Sequence, residues 1–552
     1  MSTRSESAID SNISETGKIF KDVMKSLYQP VYDGRKLLEN YRAATVGSSH
    51  DGQTTKLGYP KPATDWYATD WYATGPASVA TATTRNTVVS YQDVQTGRQA
   101  GYAGSVDIGD PGLRETNDAD SDCGESWYPL GDSAPNCWLP PSNDDSVWCG
   151  VQDRELKRFY DDFVNIRGVT FQDVQMRIDK FLKNLYEELK KAESTYTFLR
   201  LKPFLKQGGS REGLKVGAAN EFDALLPFTF VGITSDIREA PQNQLPPGLA
   251  EICIEKISNR VAIRPADLFV ERGGQKYVRS DVFHDKLFKS LIDAAVQKFN
   301  SDPEWRSYEI RRQASAPAIK LDVKINGNIV SIDVVPGFEI SAATSSLRKF
   351  VVTRWIPGSK NVTRTVRIPE PTTVWRVSHS HFEMHVFDKW GVGNITGKRL
   401  VRAARILKGL RVKDKDRNTS SQLHSVLTSY HIKNILLHSL LCLTKVNAIS
   451  LSSVSEALGY LVFMLNTALT RHNLPQFFSF NPSLRAYFPE SNFHNRSTLA
   501  VNLFAERSTG EILQVRADLA KALRHFNLQQ LLDRTGEVDW SALRPFMDNV
   551  NA

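Results

Sequence analysis

The residues best suited to chemistry in this chain of 552 residues lie in one stretch, Gln207 to Phe228, which reads QGGSREGLKVGAANEFDALLPF. Gly208 and Gly209 carry no side chains and precede the hydroxyl of Ser210, so backbone N–H groups can come close to a phosphate there and the serine can add a donor. Glu221 and Asp223 follow, two positions apart. In an extended strand such residues share a face. Two carboxylates held side by side repel unless a hard divalent cation lies between them, which points to Mg2+, with Mn2+ able to substitute. Glycine pairs also build ordinary turns, and an acidic pair can be no more than a solvated face.

A third carboxylate tips that balance. The segment from Pro317 to Pro336, PAIKLDVKINGNIVSIDVVP, reads as a hairpin. Ile319, Leu321, Val323 and Ile325 alternate with polar residues, Asn326-Gly327 supplies a tight turn, and a second β-branched run follows. Asp333 sits inside that second run between Ile332 and Val334, where an acid is costly unless it is paired or bound to metal. The expectation is a strand carrying Glu221 and Asp223 on the same sheet as a hairpin carrying Asp333.

The elements around this sheet read as helices. Leu156 to Ile166 gives a short helical pattern, and Asp173 to Lys191 a long one with Val174, Ile178, Phe181, Leu182, Leu185 and Leu189 on one side. Beyond about residue 370 the pattern is helical. In GKRLVRAARILKGLR, Lys398, Arg402 and Arg405 form a basic stripe opposite Leu400, Ala404 and Leu407, which is either a solvated face or a contact surface for a phosphate backbone. The segments around Leu461, Phe463 and Leu465, and later Leu519, Leu523 and Leu531, read as core packing.

Charge divides the chain. Residues 1–150 hold 12 Lys+Arg against 20 Asp+Glu, a net of −8, and the remainder 57 against 41, a net of +16, within an overall +8. A strongly basic folded unit favours polyanionic partners. From about 46 to 150 the chain is rich in Gly, Ser, Thr, Asp and Pro and carries a short tandem repeat from Ala63 to Gly75, so the first 150 residues are expected to be mostly disordered, apart from a short helix over 12–29. Their acidic, aromatic end could lie across the basic part or be a plain linker. The N-terminus lacks the apolar core of a signal peptide, the run from Asn434 to Leu443 is too short to span a bilayer, and five cysteines with no C-x-x-C pair fit a reducing compartment. A cytoplasmic protein is expected, with the nucleus open and no membrane partner.

The order Gly-Ser, then E-x-D, then a lone Asp on a later hairpin resembles the nucleotidyltransferase superfamily. The wording GGSREGLKV…NEFDALL, with SAPAIKL (Ser315–Leu321), VWRVSHSHFE (Val374–Glu383) and LTSYHIK (Leu427–Lys433), is similar to the Mab-21 branch, which holds cyclic GMP-AMP synthase and the cyclic GMP-AMP synthase-like receptors. The resemblance covers roughly residues 153–540. It implies an α+β fold of two lobes: a nucleotidyltransferase core with a mixed or antiparallel sheet over 153–370, including a spine helix, and a helical C-terminal lobe over 371–552.

It also implies roles. Glu221, Asp223 and Asp333 would hold Mg2+, Asp333 nearest the attacking hydroxyl as base or ligand, while Gly209 and Ser210 would hold the donor triphosphate. Arg376 would meet the acceptor nucleotide, Lys408 the donor phosphates with Ser429 beside it, and Tyr430 would stack on a base; Tyr430 can equally be a half-buried helix residue. The function implied is a nucleic-acid-activated enzyme that joins ATP, GTP or other nucleoside triphosphates into a cyclic dinucleotide for a STING-type receptor in innate immunity. A catalytically silent scaffold and a linear oligonucleotide synthase are the alternatives. Vertebrate cyclic GMP-AMP synthase carries a zinc thumb where this chain has FDKWGVGNITGKRL, without cysteine, so zinc is not expected. His379, His381 and His385 read as structural, and the resemblance is to thumbless invertebrate members, which points to double-stranded RNA ahead of DNA as activator.

Overall fold

The computed structural model describes residues 148, 153–166, 168–239, 245, 248–313, 318–340, 347–353, 371–491, 493, 501–533 and 538–551. The expected helix over 12–29 and the acidic, repeat-bearing segment lie outside them. Twelve strands make one sheet: β1 (Leu199–Leu201), β2 (Leu205–Gln207), β3 (Glu221–Phe230), β4 (Ile233–Glu239), β5 (Leu249–Ile257), β6 (Phe269–Arg272), β7 (Gln275–Val278), β8 (Arg311–Gln313), β9 (Ile319–Ile325), β10 (Asn328–Ile340), β11 (Lys349–Thr353) and β12 (Val374–Ser378). The main path runs β1-β3-β10-β11-β12-β5-β7-β6, with β2 on β3, β4 on β5, β9 on β10 and β8 on β9.

The hairpin β9–β10 forms as its residues demand. Asn326 and Gly327 take φ of 52° and 79°, the left-handed angles that a two-residue turn needs at both positions. Alternate residues of β9, from Ile319 to Ile325, are buried. The neighbouring pairs are antiparallel except one: β10 runs parallel to β3, so these two strands meet through the whole of the chain between them and not through a turn.

Two large apolar cores result, with two small clusters beside them. One lies on the sheet and takes its helical cover from α2 (Gly168–Lys191) and α4 (Lys289–Ser301). The other fills a helical lobe built from α5 (Ser380–Val386), α6 (Ile395–Arg417), α7 (Ser429–Leu440), α8 (Val454–Arg471) and α9 (Thr509–His525). α1 (Arg154–Phe159) continues into a wide turn over Tyr160–Val164 and belongs to the helical core, whereas Ile166 and α2 belong to the sheet core. Asn165 between them is extended, at φ −70° and ψ 137°. All six residues expected on the apolar side of the long helix are buried.

The expected boundary at 370/371 needs correction. Val374–Ser378 is not part of the helical lobe; it is β12, paired with β11 and β5 in the sheet interior. Trp375 on this strand is fully buried against Phe228 and Phe283, a bulk that anchors the sheet before the chain turns into α5. Caps start the later helices in the usual way: the Asn394 side chain accepts from Gly397 N at α6, and Thr428 with His431 and Ser508 with Glu511 form capping boxes at α7 and α9.

Candidate active site

The three acids converge on one face of the sheet's parallel pair. In the β3–β10 register Asp333 stands opposite Asp223, and Ser331 opposite Glu221. Burial, then the Asp333 and Glu221 carboxylates, raise Asp223 well above its ordinary value against the pull of Lys215. Burial and the Glu221 carboxylate push Asp333 up to about 6, opposed by Lys320 and Lys215. Lys320 is its cross-strand partner on β9. Mutual repulsion of this kind is what a divalent cation relieves.

The glycine-serine turn opens beside them. β2 ends at Gln207, opposite Asp223, and the next residues form the single helical turn α3 (Gly208–Arg211). Gly208 holds φ at 75°, which costs a residue with a Cβ about 1 kcal/mol or more. Gly209 brings bare backbone to Lys408, since a Cβ there would stand 3.4 Å from its Nζ. The Ser210 hydroxyl donates to the Glu221 carbonyl at 2.9 Å, so it ties the turn to the acid strand in this arrangement. Lys408 donates to the Leu214 carbonyl at 2.7 Å; burial and the neighbouring Lys215 cation lower its pKa to about 7, with Glu212 opposing.

The helical lobe clamps the residues that follow the turn. Arg211 makes a two-pronged ion pair with Asp388 at 2.9 and 2.7 Å. The Lys433 ammonium, buried on α7, lies 2.6 Å from both Glu212 and Glu383. Ser429 is the first residue of α7. The half-buried Tyr430 accepts from Gln476 Nε2 at 2.9 Å, and its hydroxyl pKa is raised by burial and by Glu383 against the pull of Gln476, Lys433 and Arg376. Arg376, on β12, is near enough for its charge to favour the ionised Tyr430 hydroxyl.

Comparison with known families adds the decisive observation. Residues 210–388 match the Mab-21 protein nucleotidyltransferase domain, and residues 399–520 match the Mab-21 protein HhH/H2TH-like domain. The chain carries both Mab-21 domain matches, in that order. No curated protein matches it at a significant level. The Mab-21 nucleotidyltransferase domain contains Ser210, Glu221, Asp223, Asp333 and Arg376, with Gly209 one position before it; the HhH/H2TH-like domain contains Arg402, Arg405, Lys408, Ser429 and Tyr430, with Lys398 one position before it.

As donors, three carboxylates suit a hard divalent cation. Among the described residues, no group of three His, Cys, Asp or Glu side chains is already set to hold a metal ion, and Glu221 Oε2 is engaged by Lys215 Nζ at 2.8 Å. Asp223, Asp333 and Glu221 are donors of the right type for such an ion, and Glu221 would first have to leave Lys215.

The basic stripe on α6 needs correction. Arg402 and Arg405 are only 5% and 2% exposed because α6 runs through the middle of the Mab-21 helical lobe and is covered on both sides, by α7 and α8 and by the turn Tyr160–Val164. Arg402 lies over the rings of Trp148 and Tyr160. Arg405 also lies over Tyr160 and donates to its hydroxyl and to the carbonyls of Val164 and Lys215. Arg402 packs α6 against Trp148 and Tyr160, and Arg405 ties it to Tyr160, Val164 and the Lys215 main chain. Lys398 stays half-exposed, and Lys415 and Arg417 are exposed at the end of α6.

The histidines have structural surroundings, as read. His379 lies against Phe478 and Phe493, and burial with the Lys349 charge lowers its pKa to about 3. His381 Nδ1 accepts from the Arg348 backbone at 2.9 Å. Sequence reasoning passed over Lys215, Glu212 and Lys433. Lys433 had a signal: a cation inside the apolar run HIKNILLHSLL needs buried acids to face.

Proposed function

We propose that this chain is a nucleic-acid-activated nucleotidyltransferase that joins two nucleoside triphosphates, ATP with GTP or another pair, into a cyclic dinucleotide messenger read by a STING-type receptor in innate immune signalling. The observation that carries the reading is the parallel pairing of Asp223 with Asp333 beside the Gly208–Arg211 turn. Few structural reasons exist for keeping such repelling acids side by side on a sheet.

Each residue then has a physical task. The backbone of the glycine turn and the Lys408 ammonium hold the donor triphosphate, with Ser210 and Ser429 adding hydroxyl donors. Tyr430 offers a ring face to a base, and Arg376 meets the acceptor nucleotide. Asp333 meets the attacking hydroxyl, as base or as metal ligand, while pyrophosphate departs. Mg2+ or Mn2+, held by Glu221, Asp223 and Asp333, would supply charge neutralisation at the attacking and leaving oxygens. The net +16 of residues 151–552 and the exposed Lys415 and Arg417 favour a polyanionic activator, with double-stranded RNA ahead of DNA. Among the described residues no helix is long and apolar enough to cross a membrane, and we place the reaction in the cytoplasm or nucleus.

The deciding experiment incubates the full chain with Mg2+ and all four nucleoside triphosphates, with and without double-stranded RNA or DNA, and identifies products by mass. A cyclic dinucleotide that depends on the duplex is expected. Linear products would make the chain an oligonucleotide synthase, and no product under any condition would make it a silent scaffold.

A further inference from the structure

One cation pairs directly with an acid of the cluster. Lys215 Nζ lies 2.8 Å from Glu221 Oε2, with both side chains largely buried. The same ammonium is among the charges that ease the ionisation of both Asp223 and Asp333, so its charge is felt by all three carboxylates. Its main chain is not free to drift. The Lys215 carbonyl accepts from Arg405 Nε at 3.2 Å and the Leu214 carbonyl from Lys408 Nζ at 2.7 Å. Both donors come from α6, in the helical lobe, and Arg405 is in turn fixed by Tyr160 and Val164. Lys320 also bears on Asp333, as its cross-strand partner in the β9–β10 ladder.

We propose that Lys215 is the resident counter-ion of the acidic cluster: it neutralises Glu221 in the resting protein, must swing away before Glu221 can ligate a divalent cation, and so lets the helical lobe, through α6, set the metal affinity of a site on the sheet. The inference rests on the reading of Glu221, Asp223 and Asp333 as metal ligands. A cation fixed among three acids competes with an incoming ion for the same charge, and the competition is strong where both are withdrawn from water. A shift of α6 that draws on the Lys215 carbonyl moves the ammonium away from Glu221 and opens the third ligand.

The test reads Mn2+ binding to the full chain, by electron paramagnetic resonance of the free ion at pH 8.5, in the absence of nucleotide. Lys215→Met should bind Mn2+ at least about tenfold more tightly than the parent, about 1.4 kcal/mol, and its melting temperature should rise more on adding Mn2+. Lys215→Arg, which keeps the charge, should bind no more tightly than the parent. Should the Met variant fail to fold, Lys215→Gln, neutral and still polar, carries the same expectation. Mn2+ affinity that is unchanged or weaker in a folded neutral variant overturns the role of Lys215 alone. Absence of Mn2+ binding in the folded parent and in every variant overturns the metal site itself, and with it the proposed enzyme.

Discussion

Replacing Asp333 with Asn should leave the metal-free protein more stable and unable to transfer a nucleotide. The magnitude follows from the site. Holding a carboxyl at about 6 when its ordinary value is 3.8 costs about 3 kcal/mol of folding free energy at any pH well above 6, since each pKa unit is worth about 1.4 kcal/mol. The sign is that of a raised acid: between those two values the folded state binds more protons than the unfolded one, so stability contributed by this group is present below pH 4 and is lost as pH climbs through about 6. Asn carries no charge to desolvate and also relieves Asp223 of a repelling neighbour. Denaturant titration in EDTA, followed by the fluorescence of the tryptophans, among them Trp305 and Trp375 in the sheet core, should show a gain of about 2–3 kcal/mol at pH 8 that shrinks toward zero near pH 4. Saturating Mn2+ should narrow or reverse the difference by stabilising the parent more. No gain at pH 8, or an equal gain at both pH values, would refute the claim that Asp333 is an acid held under repulsion.

Three further outcomes are expected. Lys433→Met leaves Glu212 and Glu383 buried without their shared cation and should cost about 3–5 kcal/mol in denaturant unfolding. Triphosphate binding at pH 8 should take up close to one proton, because phosphate raises the Lys408 pKa from about 7 to above the solution pH; calorimetry in two buffers of different ionisation enthalpy measures it, and Lys408→Ala should remove it. Arg405→Ala should destabilise the fold by about 2 kcal/mol or more through the carbonyls it abandons, while the salt dependence of duplex RNA binding stays unchanged, as it would not for a phosphate contact.

Much of the site was legible in the sequence because its signals are local. An i, i+2 acid pair, an Asn-Gly turn and an acid amid β-branched residues each carry their meaning within a few residues, and the structure brings Glu221, Asp223 and Asp333 to one sheet face. What was not legible depends on which faces are covered. The spacing of Lys398, Arg402 and Arg405 defines a stripe on α6, but spacing does not say that Trp148 and Tyr160 will lie over two of them. A helix with partners on every side can bury guanidinium groups that a helix on the surface would leave in water. β12 was lost for a similar reason: five residues around one tryptophan are too short to announce a strand, and only the pairing with β11 and β5 defines it. Lys215 gave no signal, because the partner that defines it comes from its fold.

The lone parallel contact has a consequence for how the molecule matures. β3 and β10 cannot zip from a turn, so Asp223 meets Asp333 only after the polypeptide between them, β4 through β9, has been made. A nascent chain emerging from the ribosome, or one stalled part-way through refolding, keeps its carboxylates apart and hydrated. The energetic cost of crowding them therefore arises only once β10 has been made, and a chain that stops short of it cannot bring the three acids together.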